Sequence, residues 1–228
     1  MSHGNKYQPT KEEVPLSKHA ELRQLFSSFQ DTGLSCPHEK ECNVREGEAK
    51  YPAYLGDEDT RVMVVAEAPS TANGVGPNVV QLFSEVTKSP KNLNMLKLRD
   101  FVQDYYNTTP HFTDLAKCGV VGKSPIPKNR VDICTKHFLL NEIDILKPEY
   151  VICVGKRSED FFKKLKEQQE ISDSVKLRFL THYSNQAQLH LTIEDKYGIV
   201  WKWQARLLSE EDFIGELPKL SFFRKSPH

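Results

Sequence analysis

Short unbroken apolar runs alternate along the chain with stretches of helical period. Residues 61–66 (RVMVVA) contain five consecutive apolar positions rich in β-branched side chains, the pattern of a strand buried on both faces. Residues 150–154 (YVICV) repeat it, and 112–116 and 177–181 are weaker versions, so four strands are expected. Between them, Leu22, Leu25, Phe26 and Phe29 share one side of a helix over 16–29. Helices are also expected over 77–87 and 92–106, and over 131–146, where Leu139, Ile143 and Leu146 recur and Pro148 stops the element. Phe161, Phe162 and Leu165 mark a last helix after a turn at Gly155. Segment 31–60, rich in turn residues, and CGVVGKSPIPKNR at 118–130 read as loops.

Strands separated by helices imply a mainly parallel sheet covered on both faces. In such sheets ligands gather at the carboxyl ends of the strands. AEAPS (66–70), TDLAKC (113–118) and THYS (181–184) all fall there, which places them in one site. The chain shows no internal repeat and reads as one domain over 1–228, with 1–30 as a helical N-terminal extension and 195–228 as a C-terminal extension.

Composition narrows the setting. Hydrophobic residues make up 38% of the 228, which suits a globular core. The apolar runs are far too short for a membrane span, and the opening MSHGNKYQPTKEE lacks a signal-peptide core, so a cytoplasmic monomer without a membrane partner is expected. The 31 basic and 31 acidic residues cancel, but their distribution is uneven. Lys117, Lys123, Lys128, Arg130 and Lys136 stand against the single acid Asp132, and residues 219–228 hold three bases and no acid. One basic face on a neutral protein can still grip phosphates.

Four of the five cysteines form two pairs, Cys36 with Cys42 and Cys118 with Cys134. In a reducing compartment such pairs hold metal more often than they form disulfides. Thiolates suit iron–sulfur clusters or zinc. The gaps of five and fifteen residues are looser than the knuckles of a zinc site, which favours a [4Fe–4S] cluster pinning the 31–60 loop to the 117–136 loop, with zinc as the alternative. Cys153, in mid-strand, reads as core. His190 and the Trp201/Trp203 pair read as structural, the tryptophans fitting a strand face or a helix edge equally.

With these residues in view, the chain resembles the uracil-DNA glycosylase superfamily, and most closely its family-four, iron–sulfur branch. That branch shows GEAPG after the first strand, a TNxxKC segment with the third cysteine, a fourth cysteine sixteen positions on, and an HPS motif. Here AEAPS, TDLAKC, Cys134 and HYS (182–184) stand in the same order, and LLNEIDILKPEYVICVG is similar to the family's helix–strand linker. The resemblance covers roughly residues 30–190. It implies a three-layer α/β/α fold on a four-stranded sheet, and hydrolysis of an N-glycosidic bond in DNA after the nucleotide is flipped into a pocket. His182 would donate to the pyrimidine O2, and Glu67 would orient the attacking water. Ala68, Pro69, Ser70 and Ser184 would bind substrate, with the two serines on phosphates. Residues 183–189 would hold the wedge that stabilises the flipped state.

Two departures bear on substrate. Asp114 replaces the family's base-reading asparagine, and an ionised carboxylate offers only acceptors where an amide offers a donor and an acceptor. That opposes uracil O4 and matches an N3-protonated cytosine. Asn78 stands where the family places a stacking phenylalanine, which widens the pocket and adds polarity. Together they point to excision of a bulky modified cytosine, as in antiviral defence. The alternatives are ordinary uracil excision in base-excision repair, which a protonated Asp114 would permit, and a non-catalytic iron–sulfur module that binds nucleic acid.

Overall fold

A computed structural model of the chain describes residues 16–27, 36–44, 53–69, 80–86, 88, 92–120, 125–184 and 191–221. Six strands form one sheet in the order β3-β1-β4-β2-β5-β6. They are β1 (Tyr54–Leu55), β2 (Val62–Ala66), β3 (Gln81–Leu82), β4 (His111–Asp114), β5 (Tyr150–Val154) and β6 (Lys176–Leu180). Every neighbouring pair is parallel except β1 with β4.

All five residues of β2 are buried, and their alternation divides them between two apolar layers. Met63 and Val65 pack with Leu22, Phe26, Phe138, Leu139, Val151 and Phe162 on one face. Val62, Val64 and Ala66 pack with Phe101, Val102, Phe112, Ile152 and Trp201 on the other. The first layer takes helices α1 (Lys18–Leu25), α3 (Lys128–Cys134), α4 (Leu140–Leu146) and α5 (Lys156–Glu167). The second takes α2 (Leu93–Tyr106) and the C-terminal helical segment, α6 (Ile193–Asp195) and α7 (Trp201–Gln204), joined by a π-helical turn over Lys196–Val200. A short α8 (Glu210–Glu216) follows. The three-layer architecture is therefore as expected.

The strand count is six, not four. Strand β1 lies inside the stretch expected to be loop, and β3 inside the expected helix over 77–87, where a 3-10 turn (Phe83–Glu85) follows it. Two-residue strands have no period to read, and β1 is held by position. The chain at Gly56 crosses so close to Thr109 that an added Cβ would meet its carbonyl oxygen at 2.3 Å. The long helix expected over 131–146 is present but changes pitch, with a π-helical turn over Thr135–Leu139. Trp201 and Trp203 lie on a helix. Two residues apart they face opposite ways, Trp201 buried and Trp203 exposed against Phe213.

Connections leave β2 toward β4 on one side and toward β5 on the other, so the order reverses at β2. Such a switch point opens a crevice at the carboxyl ends of the strands.

Candidate active site

The β2 and β4 ends meet in register, Ala66 opposite Asp114. Leu115 N–H donates to the Ala66 carbonyl at 2.9 Å, and Ala116 N–H to Glu67 at 3.0 Å, which locks the AEAPS and TDLAKC segments together. Asp114 is buried. Burial pushes its carboxyl up to about 7; Lys117 opposes the shift, and Glu142 and Glu67 add to it. Near neutral pH both protonation states are therefore populated, the ionised form that opposes uracil O4 and the protonated form that would permit it.

Beneath Asp114 lies a charge network that sequence reasoning missed. Lys117, Glu142 and His111 are each fully buried. The Lys117 ammonium bonds the Glu142 carboxylate and the Thr113 hydroxyl, and donates to the Asp114 carbonyl at 3.1 Å. The other Glu142 oxygen meets His111 Nε2 at 2.9 Å. Burial alone would raise the Glu142 carboxyl, but Lys117 and then His111 hold it below the usual range. His111 Nδ1 has no hydrogen-bond partner among the described residues. A signal was available: Glu142 sits three residues after Leu139 and one before Ile143, inside the buried stripe of the helix.

His182 follows β6, and Gly155, at φ +88°, turns the chain after β5 directly against its ring. Ser184 N–H donates to His182 Nδ1 at 3.0 Å, so the neutral ring carries its proton on Nε2. Burial, helped by the Lys196 charge, lowers the imidazole to about 4, and the ring is neutral at physiological pH. Tyr183 relates His182 to Asp114. Its ring stacks on His182 at 4.4 Å, and its hydroxyl is pushed up by burial and by the Asp114 charge.

The C-terminal helical segment holds this loop. Trp201 Nε1 donates to the Thr181 carbonyl at 2.8 Å, and Gln204 both accepts from Thr181 N–H at 2.7 Å and donates to its hydroxyl at 2.9 Å. Lys196 Nζ donates to the carbonyls of His182 and Ser184. Lys196 and Gln204 were also missed, although Ile193, Lys196, Tyr197, Val200 and Trp201 form one helical stripe.

Glu67 is partly exposed and ion-paired with Arg157 in the first turn of α5. Ala68 and Pro69 follow it, partly buried. Ser70, Asn78 and His190 lie outside the described residues, as does the wedge expectation beyond Ser184. The basic face expected over 117–136 is smaller than its sequence, because Lys117 and Arg130 point inward. Arg130 donates to the Gly119 carbonyl at 2.8 Å and to Cys42 at 3.2 Å, tying the two cysteine loops together.

Cys36, Cys42, Cys118 and Cys134 are buried and are not joined by disulfides. Burial pushes Cys36 and Cys42 up to about 11, and the nearby Cys134 adds to both shifts. Cys134 Sγ accepts the Lys117 N–H at 3.4 Å. Among the described residues, no three His, Cys, Asp or Glu side chains close on one point as a single metal ion requires. No helix among them is long and apolar enough to cross a membrane. An open hollow of about 510 Å³ beside Glu21, Leu25 and Asp144 contains none of the candidate residues.

Compared with known families, residues 53–205 match the Uracil DNA glycosylase superfamily. None of the curated proteins matches the chain.

Proposed function

The chain belongs to the uracil DNA glycosylase superfamily, and from that premise we propose that it hydrolyses the N-glycosidic bond of a flipped-out pyrimidine in DNA, preferring a modified cytosine. The observation that supports this reading is Tyr183, whose ring stacks on His182 and whose hydroxyl is influenced by the charge of Asp114, near the strand ends where the sheet order reverses.

As the bond breaks, negative charge gathers on the base O2 and positive charge on the sugar. The His182 Nε2–H is a neutral donor for that oxygen. Glu67, steadied by Arg157, orients the water that attacks the sugar carbon. Ala68, Pro69, Ser70 and Ser184 would bind the nucleotide, the two serines on its phosphates. Asp114 reads the opposite base edge. With its acidity near 7 it can pass its proton to cytosine N3 and then accept from both N3–H and the N4 amino group, which also improves the leaving group. Plain cytosine is too abundant to be a tolerable target. The polar Asn78 in place of an aromatic therefore favours a bulkier, modified cytosine, in an antiviral setting.

Uracil is the second reading, and the acidity of Asp114 favours it: a protonated carboxyl donates to O4 and accepts from N3–H as an amide would. Single-turnover assays on oligonucleotides carrying uracil, cytosine, hydroxymethylcytosine or its glucosylated form separate the two. Removal of the modified cytosines is expected, falling as pH rises through about 7 because the raised pKa of Asp114 means its proton is lost above that value. Asp114→Asn should cut this activity by roughly ten- to a hundredfold, one base contact's worth of discrimination, and leave any uracil removal independent of pH. Cleavage of uracil alone by the wild type ends the cytosine reading. Salt-sensitive DNA binding with every base left in place ends the enzymatic one in favour of a binding module.

Cys36, Cys42, Cys118 and Cys134 are proposed as ligands of a [4Fe–4S] cluster. In a cluster each thiolate takes its own iron, so four sulfurs need not share a point. Buried unbridged thiols, the N–H bond to Cys134 and the Arg130 tie between their loops support that assignment. When bound, the cluster would supply structure, not a chemical step. Protein purified without oxygen should contain iron and acid-labile sulfide, and Cys118→Ser should lose both and melt several degrees lower. Zinc in their place would replace the cluster by a single-ion site.

A further inference from the structure

Lys196 is 1% exposed, yet its ammonium has no carboxylate partner among the described residues. The adjacent Asp195 is engaged elsewhere, accepting from Thr192 and from Ser221 N–H. Burying a lone cation is costly unless its donors are satisfied. Here two of them reach the His182 carbonyl at 3.2 Å and the Ser184 carbonyl at 2.8 Å. Those carbonyls flank the short loop in which Ser184 N–H fixes the imidazole. The lysine sits in the π-helical turn over Lys196–Val200, a local widening of the helix that often marks functional positions. The segment starts from a capping box between Thr192 and Asp195, so Lys196 is presented from a rigid mount.

We infer that Lys196 is a positioning residue for the proposed glycosylase reaction: its ammonium, bonded on both sides of the loop, fixes the His182 ring with its proton on Nε2 and sets a positive charge beside it. The inference rests on the reading of His182 as the donor to the departing base. That charge opposes protonation of the imidazole, which would otherwise displace the Ser184 N–H from Nδ1. It also favours negative charge developing in front of the ring. The other ionisable groups around this corner are Tyr183 on the same loop, Asp114 on β4, Asp195 on α6, and Tyr197, whose hydroxyl is bonded to Asp104 of α2.

Nitrogen-15 NMR of the His182 ring, combined with single-turnover kinetics, tests this. Wild-type protein should show the Nε2–H tautomer and stay neutral well below pH 6. Lys196→Met should raise the titration midpoint of His182 and lower kcat by about ten- to a hundredfold with KM little changed, as for a misplaced catalytic group. Lys196→Arg, which keeps the charge, should hold the low midpoint and recover part of the rate. In a His182→Ala background, Lys196→Met should add almost nothing. An Nδ1–H tautomer in the wild type, or an unchanged tautomer and midpoint in Lys196→Met, overturns the inference. Should Lys196→Met fail to fold, the wild-type tautomer and the Lys196→Arg midpoint still decide. The NMR arm needs no turnover, so a protein that removes no base would sink the proposed function without obscuring this result.

Discussion

Glu142→Gln is expected to destabilise the protein by about 3–5 kcal/mol, the usual cost of breaking a buried ion pair by removing one partner. Glu142 is fully buried between the Lys117 ammonium and His111, and it is the carboxylate that forms a direct ion pair with that lysine, the Asp114 carboxylate acting on it only through its charge. The amide would still accept from His111 Nε2, so the loss isolates the Lys117 charge. Adding Lys117→Met removes the orphaned cation and should recover a large part of the stability, although Thr113 and the Asp114 carbonyl then lose a donor. Denaturant unfolding of the single and double variants measures both. A Glu142→Gln midpoint within error of wild type would show that the network does not carry the charge assigned to it. Because the Lys117 N–H also reaches Cys134, the same substitution should loosen the cysteine loops, visible as easier loss of iron if these cysteines hold the proposed cluster.

His182→Ala should reduce the rate of base removal by about a hundred- to a thousandfold, or roughly 2.7–4 kcal/mol of barrier, while binding of the DNA changes little. The donor acts on charge that exists only as the bond breaks, so kcat falls and ground-state affinity does not. The sign of the pH effect follows from the depressed basicity of the ring. With a value of about 4 it is neutral throughout the working range, and no loss of activity on the acid side should arise from it above about pH 5. A rate that falls toward low pH with an apparent pKa near 6.5 in Asp114→Asn as well as in the wild type would contradict a neutral donor.

The strands that build the site were legible because burial on both faces leaves an uninterrupted apolar run, as in β2 and β5. Strands β1 and β3 were not, being two residues long and set by tertiary approach at Gly56. The segments carrying His182, Asp114 and Glu67 stand at strand ends, and it was their resemblance to the family's motifs that singled those residues out. Lys117, Glu142 and Lys196 were not singled out, because a charged residue in a polar chain is read as surface unless its partner is known. Glu142 and Lys196 each occupy a place on an apolar helical stripe, and that misplaced charge was the available clue. The acidity of Asp114 was beyond the sequence altogether, since it depends on burial and on three charges brought from β2, α4 and the chain just after β4.

The helical segment over 193–204 carries an implication for how the protein comes into being. A nascent chain leaves the ribosome with β2, β4, β5 and β6 complete before Lys196, Trp201 and Gln204 have been made. Until those three emerge, the loop after β6 lacks every clamp they provide, and only the Ser184 N–H within the loop holds its imidazole. The proposed base removal would thus reach full rate only late in synthesis, and a truncated product ending near residue 190 would be expected to work more slowly.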